Sequence, residues 1–197
     1  MMKDYKRLKI GLLTLQGDFE RHRHQLKMLG VSSKDVRLSS DLGGLDGLII
    51  PGGESTTMSI LMDRFGLRRS LRDFAREHPV YGTCAGMILL SKKIENNISG
   101  VQPLGLMDID IDRNGYGRQI YSFEDELEVR LNGVPQKIKA AFIRAPVITR
   151  VGEGVQVLAG YRERPVLVRQ DHILASSFHA ELEDDLTILR YFTDNFF

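Results

Sequence analysis

Cysteine is nearly absent from this 197-residue chain, which carries one, at position 84. No internal disulfide can form, which fits a reducing, cytoplasmic setting rather than a secreted one. An excess of either charge is also missing, since 27 Lys and Arg stand against 26 Asp and Glu for a net charge of +1. There is accordingly no electrostatic case for nucleic acid or an anionic membrane as the main partner. Long apolar runs are lacking too. The opening Met-Met-Lys-Asp-Tyr-Lys-Arg leads into only a short apolar run from Ile10, too short for a signal core or a membrane span. Without such a signal, Asn97-Ile98-Ser99 is read as a chance match to a glycosylation acceptor. No Cys/His cluster has zinc spacing. His22 and His24 lie two apart on an expected helix and point to different sides, while His78 and His172 read as surface residues. Neither a metal nor a cofactor is expected. There is no internal repeat, low-complexity tract or linker. With 42% hydrophobic and 27% charged residues, the chain reads as one domain over 1–197, long enough for a substantial core.

What is present has the rhythm of an α/β protein. Lys9 to Gln16 is a near-continuous apolar run of strand length, as in strands covered on both faces. A polar helix follows from Gly17-Asp18 to about Leu29, stopped by Gly30. Val36–Leu38 and Leu45–Ile50 read as the second and third strands, with helices expected at Met58–Phe65 and Leu67–Glu77. The short apolar run at 79–81 reads as the next strand. Strand, helix, strand, helix at this spacing predicts a three-layer doubly wound sheet, mainly parallel, with helices on both faces. From about Leu106 the texture changes to short strands: Asp108–Asp112, Leu127–Leu131, Ile138–Ile143, Gln156–Ala159, Pro165–Arg169 and Ile173–Phe178. Asn132-Gly133 marks a turn between two of them. These are expected to add antiparallel strands to the same body, giving a mixed sheet, before a closing helix at Leu182–Phe196.

Three stretches could carry chemistry. Val-Tyr-Gly-Thr-Cys-Ala-Gly-Met-Ile-Leu, residues 80–89, places Gly82 and Gly86 two positions either side of Cys84. That is the pattern of a nucleophile elbow, with cysteine in place of serine. Small neighbours suit a backbone that doubles back, and a helix N-terminus behind the thiol favours a thiolate. A buried inert cysteine is the competing reading. Ser-Ser-Phe-His-Ala-Glu, residues 176–181, delivers His179 and Glu181 two apart at the end of a strand, so both project to one side. A cysteine nucleophile needs a base, and the base needs an orienting group, which these residues could supply if the two strand ends are neighbours. Otherwise His179 is a loop histidine and Glu181 an acidic residue at a helix start. Pro-Gly-Gly-Glu-Ser, residues 51–55, leaves unobstructed amides between strand and helix, suited to an oxyanion. It also reads as a plain turn with Ser55 as the helix N-cap. No Gly-Lys-Ser/Thr follows, so it is not a nucleotide loop, and Gly115-Tyr116-Gly117-Arg118 lacks the third glycine of a dinucleotide fingerprint.

Pro-Gly-Gly-Glu-Ser-Thr-Thr, Gly-Thr-Cys-Ala-Gly-Met and Ser-Phe-His-Ala-Glu, in this order, resemble the class I, triad-type glutamine amidotransferases. Within them the chain is similar to the glutaminase subunits of pyridoxal 5′-phosphate synthases. That narrower match rests on Leu15-Gln16-Gly17-Asp18, on Gly53 to Thr57, on Arg113-Asn114 with Tyr-Gly-Arg-Gln at 116–119, and on Phe142 to Pro146. The cysteine elbow alone is common to the superfamily; the Gly-Glu-Ser-Thr-Thr and Ile-Arg-Ala-Pro segments are more diagnostic. Ala180 departs from the usual proline, implying a slightly looser loop around an intact triad.

The resemblance implies Cys84 as nucleophile, His179 as general acid/base and Glu181 as its orienting carboxylate. It places L-glutamine against Gly53, Glu54, Ser55, Arg113, Ile143 and Arg144, with the backbone amides of Gly53 and Ala85 as oxyanion donors. It implies that ammonia passes to a (β/α)8-barrel synthase subunit, and it points to Gln16 as the place where partner and site are coupled. The arginines suit a carboxylate-bearing substrate. Two other functions fit the same residues less well. One is a glutaminase serving another acceptor, such as the imidazole glycerol phosphate pathway. The other is a non-catalytic module with Cys84 as redox sensor.

Overall fold

The computed structural model describes residues 5–113, 115 and 122–197; Asn114 and the Tyr-Gly-Arg-Gln segment at 116–119 lie outside the described residues. Its central sheet has seven strands. Four come from the first half of the chain: β1 (Lys9–Leu13), β2 (Ser32–Val36), β3 (Gly47–Ile50) and β4 (Val80–Thr83). The helices between them are α1 (Phe19–Leu29), α2 (Ser55–Arg64) and α3 (Leu67–Phe74), and α4 (Ala85–Leu90) follows β4. The second half supplies β5 (Ser91–Ile94), β6 (Met107–Asp112), β7 (Ser122–Leu131), β8 (Val134–Ile143), β9 (Val147–Val151), β10 (Gln156–Tyr161), β11 (Arg164–Gln170), β12 (Ile173–Ser176) and α5 (Thr187–Asn195).

The main sheet runs β10-β11-β12-β4-β3-β1-β2. Five adjacent strands from β12 to β2 are parallel, and β11 and β10 extend the edge antiparallel. β3, β4 and β12 are buried at every position, as strands covered on both faces must be. Two apolar cores divide along the pleat. Leu48, Ile50 and Val80 face α2, α3 and α4, whereas Ile10, Leu12, Ile49 and Tyr81 face α1, α5 and the β7–β8 hairpin. The layers are therefore those the sequence predicts. Chain order reverses between β1 and β3, so the crevice beyond the carboxyl ends of these strands is where such sheets bind ligands.

Several elements differ from expectation. The second strand lies at Ser32–Val36, not Val36–Leu38, because Ser-Ser-Lys-Asp forms a polar edge strand paired on one side only. Most of the later strands do not join the main sheet. β5, β6 and β9 form one small sheet and β7 and β8 another, each capping one of the two cores. The closing helix is shorter than Leu182–Phe196, since the chain first makes a 3-10 turn at Ala180–Leu182. Asn132 and Gly133, both at positive φ, make the two-residue turn between β7 and β8. Gly30, in the left-handed region, ends α1 by donating to the Leu26 and Lys27 carbonyls.

The elbow glycines are required by close approach. A methyl on Gly86 would lie 2.1 Å from the Ile50 carbonyl oxygen, and one on Gly82 would lie 2.7 Å from the Gly86 carbonyl carbon. β3, β4 and α4 thus meet backbone to backbone, which rigidly fixes the turn between them. Gly86→Ala must push β3 away from α4, and backbone cannot yield as a side chain can. An overpacking cost of ~3 kcal/mol is expected, read as a lower midpoint in urea unfolding at an unchanged slope.

Candidate active site

Four strand ends converge on one crevice. β1 leads to Gln16 and Asp18, β3 to Gly52 through Ser55, β4 to Cys84, and β12 to His179. β8 brings Ile143 and Arg144 over the opening, anchored by the His179 amide donating to the Ala141 carbonyl at 2.8 Å. The crevice has a volume of about 330 Å³, large enough for an amino acid. Every residue expected to act at the site lines it, except Glu181, which is buried behind His179, and Ala85, whose amide begins α4.

Cys84 sits at φ 49° and ψ −102°, outside the regions that L-residues normally occupy. The strain is held by the Cys84 amide, which donates to the Ser176 carbonyl at 2.8 Å, and by the close packing of Gly82 and Gly86. Strain maintained this firmly marks a functional turn. The first amides of a helix have no intrahelical acceptor, and α4 begins at Ala85, directly after the thiol.

His179 Nδ1 lies 2.7 Å from Glu181 Oε1. The two residues meet by a different route from the extended i, i+2 projection expected: His179 is extended, but Glu181 lies in the 3-10 turn Ala180–Leu182 that follows it. Burial disfavours a charged ring at His179, but hydrogen bonds to Cys84 and Glu181 outweigh it and push its pKa up to about 10. Burial likewise opposes the Glu181 charge, and His22 and His179 together still hold its carboxyl below the usual value. At neutral pH the arrangement is a carboxylate behind an imidazolium that faces the Cys84 sulfur. Gly52 makes room for the ring, since a methyl there would lie 2.3 Å from His179 Cε1.

Glu54, not Ser55, is the N-cap of α2. Its carboxylate accepts from the Thr56 amide at 2.9 Å and the Thr57 amide and hydroxyl at 2.7 Å. Partial burial works against ionisation, but these donors prevail and hold Glu54 down to about 2. Glu54 also pairs with Arg113 at 3.3 Å, and Arg113 bonds the Ser99 hydroxyl. Gln16 Oε1 accepts from the Glu54 amide at 2.7 Å, so Gln16 fixes the orientation of the Gly53-Glu54 peptide. Ser55 is buried on the first turn of α2. Arg144, at φ 44°, is a second non-glycine residue in the left-handed region at this crevice.

Sequence reasoning set His22 aside, and the structure corrects that. His22 is fully buried, with Nε2 3.1 Å from Thr83 Oγ1 and 3.5 Å from Glu181 Oε1. The available signal was spacing: His22, Gln25 and Leu26 are i, i+3 and i+4, one face of an amphipathic helix, and all three are buried. His78 and His172 are half-buried rather than plain surface residues, the first stacked on Phe74 and the second bonded to the Ala75 carbonyl at 2.7 Å.

Comparison with known proteins agrees with this geometry. The profile of the SNO glutamine amidotransferase family matches residues 12–197. The chain is 50% identical over 186 residues to the pyridoxal 5′-phosphate synthase subunit PdxT of Kosmotoga olearia, covering 94% of this chain and 96% of that one. It is 48% identical to the protein of the same name from Thermosipho africanus, covering 94% and 97%. A solved structure described as a glutamine amidotransferase superposes with a TM-score of 0.87 at 44% identity, covering 94% of this chain and 97% of that one. Among the described residues no helix is long and apolar enough to cross a membrane. The chain belongs to the SNO glutamine amidotransferase family.

Proposed function

We propose that this chain is the glutaminase subunit of a pyridoxal 5′-phosphate synthase, one cytoplasmic domain over residues 1–197 that hydrolyses L-glutamine and hands the ammonia to a (β/α)8-barrel partner. The observation that carries the reading is the strained Cys84 facing a protonated His179 that Glu181 holds from behind. The names of its relatives support the pathway. In the first step the Cys84 thiolate attacks the glutamine side-chain carbonyl. The amides of Gly53 and Ala85 donate to the developing oxyanion, an interaction worth roughly a hundredfold or more in rate for each donor. His179 gives its proton to the leaving nitrogen, releasing ammonia and leaving a γ-glutamyl thioester. Water that loses a proton to His179 then cleaves the thioester to glutamate. The backbone of Gly53, Glu54 and Ser55, with Ile143, Arg144 and Arg113, holds the amino acid, the two guanidinium groups facing its carboxylate.

Gln16 is where we place the coupling to the partner. Its side chain grips the Glu54 amide, so any movement of the β1–α1 loop reorients the Gly53-Glu54 peptide. The test measures glutamate and ammonia released from glutamine by the chain alone and with the barrel synthase subunit. Equimolar products, formed faster with the synthase, are expected. Hydrolysis that the synthase does not stimulate would overturn the pathway, and no hydrolysis in either condition would overturn the glutaminase assignment.

A further inference from the structure

The inner face of α1 contributes two polar side chains, His22 and Gln25, that the triad chemistry does not itself require. Both are buried, and both reach the segment that carries His179 and Glu181. Gln25 Nε2 donates to the carbonyls of Ala180, Glu183 and Asp185 at 3.2, 3.0 and 3.1 Å. A single amide group thus gathers three backbone carbonyls within residues 180–185, on the segment where alanine stands at the position of the usual proline. One helical turn earlier, His22 Nε2 approaches Thr83 Oγ1 at 3.1 Å and Glu181 Oε1 at 3.5 Å, while the Thr83 hydroxyl donates to the same carboxylate oxygen at 3.5 Å.

We propose that His22 is a positioning residue of the glutaminase reaction, a neutral donor that with Thr83 pins the Glu181 carboxylate so that it can hold His179 in register with Cys84. The inference rests on the glutaminase reading. His22 acts as a dipole and not as a second cation. Burial pushes its pKa down and outweighs the opposing pull of the Glu181 charge, with His179 adding to the burial effect, so at neutral pH Glu181 is left with one imidazolium partner. A second cation at this depth would compete with His179 for the one buried carboxylate; a neutral N–H stabilises its charge without doing so. The other ionisable groups acting on the cluster are few. Asp18 lies at the start of α1, Tyr81 on β4 is kept neutral by burial, and Cys84 faces His179 from the crevice side. With His22 supplying a donor, the carboxylate stays ionised to lower pH; without it, Glu181 takes up a proton sooner, and an uncharged Glu181 no longer supports the imidazolium.

The experiment compares His22→Leu, His22→Asn and His22→Gln in the full chain with its synthase partner. Glutamine keeps an amide nitrogen at the reach of Nε2, whereas asparagine is too short and leucine has no donor. For His22→Leu and His22→Asn, kcat is expected to fall about tenfold with KM held within about twofold, the pattern of a lost transition-state contribution. The acid limb of the kcat/KM profile should move to higher pH in both variants and return in His22→Gln. Because the chain has one cysteine, alkylation by iodoacetamide read by mass spectrometry reports Cys84 alone, and its acid limb should move in the same way without glutamine present. An acid limb that stays at the parent's pH in both assays, or a His22→Gln protein no better than His22→Leu, overturns the proposal. Should His22→Leu fail to fold, His22→Asn decides. A parent protein that releases no ammonia refutes the glutaminase reading, and the alkylation profiles still decide the role of His22.

Discussion

Cys84→Ala is expected to abolish ammonia release from glutamine, with or without the synthase subunit. Removing the nucleophile of a covalent hydrolase costs on the order of a millionfold in kcat, because what remains is binding and oxyanion stabilisation with nothing to attack. The fold should survive. Cys84 is buried at a positive φ, and alanine occupies that backbone region no worse than cysteine does. The stabilising features of the elbow are the glycine contacts and the amide donated to Ser176, neither of which involves the sulfur. A thermal melt close to the parent's, with glutamine binding retained in calorimetry, would separate lost chemistry from lost structure. Ammonia release by Cys84→Ala equal to the parent's, in the presence of synthase, would refute covalent catalysis and favour a regulatory thiol.

How much of this could be read in advance depends on what each residue encodes locally. The parallel half of the sheet was legible because β1, β3 and β4 are short, near-continuous apolar runs, as suits strands covered on both faces. β2 was misplaced because an edge strand needs no apolar run, and Ser-Ser-Lys-Asp carries none. The site was legible for a different reason. Cys84, Gly52-Gly53 and His179 each follow a strand of the same parallel set, so topology alone brings them to the same edge of the sheet. Residues delivered from the side were harder. Ile143 and Arg144 arrive on β8, a strand of a separate hairpin, and only resemblance connected them to the site. His22 was lost because it was weighed only as a metal ligand with His24, whereas its partners Thr83 and Glu181 come from distant parts of the chain. Glu54 lines the crevice, and the cap read at Ser55 belongs to it: the residue after Pro-Gly-Gly caps α2 with its own side chain, so Ser55 is released to the first helical turn.

These features share one structural cause. Three glycine-rich passes of backbone, at 17, 52–53 and 82–86, lie so close together that an added methyl at Gly17 would fall 1.9 Å from the Gly52 carbonyl oxygen. The same seam admits the His179 ring against Gly52 and the Gln16 side chain against Gly53, so the glycines leave room for groups that line the crevice. The close packing of Gly82 and Gly86 beside this seam is also what holds the strain at Cys84.

Glu181→Gln is the second change with a large expected effect, since it alters charge while keeping shape. The amide can still meet His179 Nδ1, but the buried negative charge that supports the imidazolium is gone. In serine hydrolases the equivalent change lowers kcat about ten-thousandfold through the wrong histidine tautomer, and a loss of about that size is expected here. The pH dependence of stability should change with it. His179 has a folded value of about 10 against an ordinary 6.5, so its contribution is fully present below 6.5 and is lost as pH rises through 10. Glu181 is held below its ordinary 4.5, so its contribution is present above 4.5 and is lost as pH falls through the depressed folded value. In the parent the linked stabilisation is therefore complete between pH 4.5 and 6.5 and declines on either side. In Glu181→Gln the carboxylate's part vanishes and the histidine's shrinks. Urea unfolding midpoints followed from pH 4 to pH 10 should then vary less than the parent's. A variant whose midpoint tracks the parent's across that range, with activity preserved, would show that Glu181 does not carry the charge that holds His179.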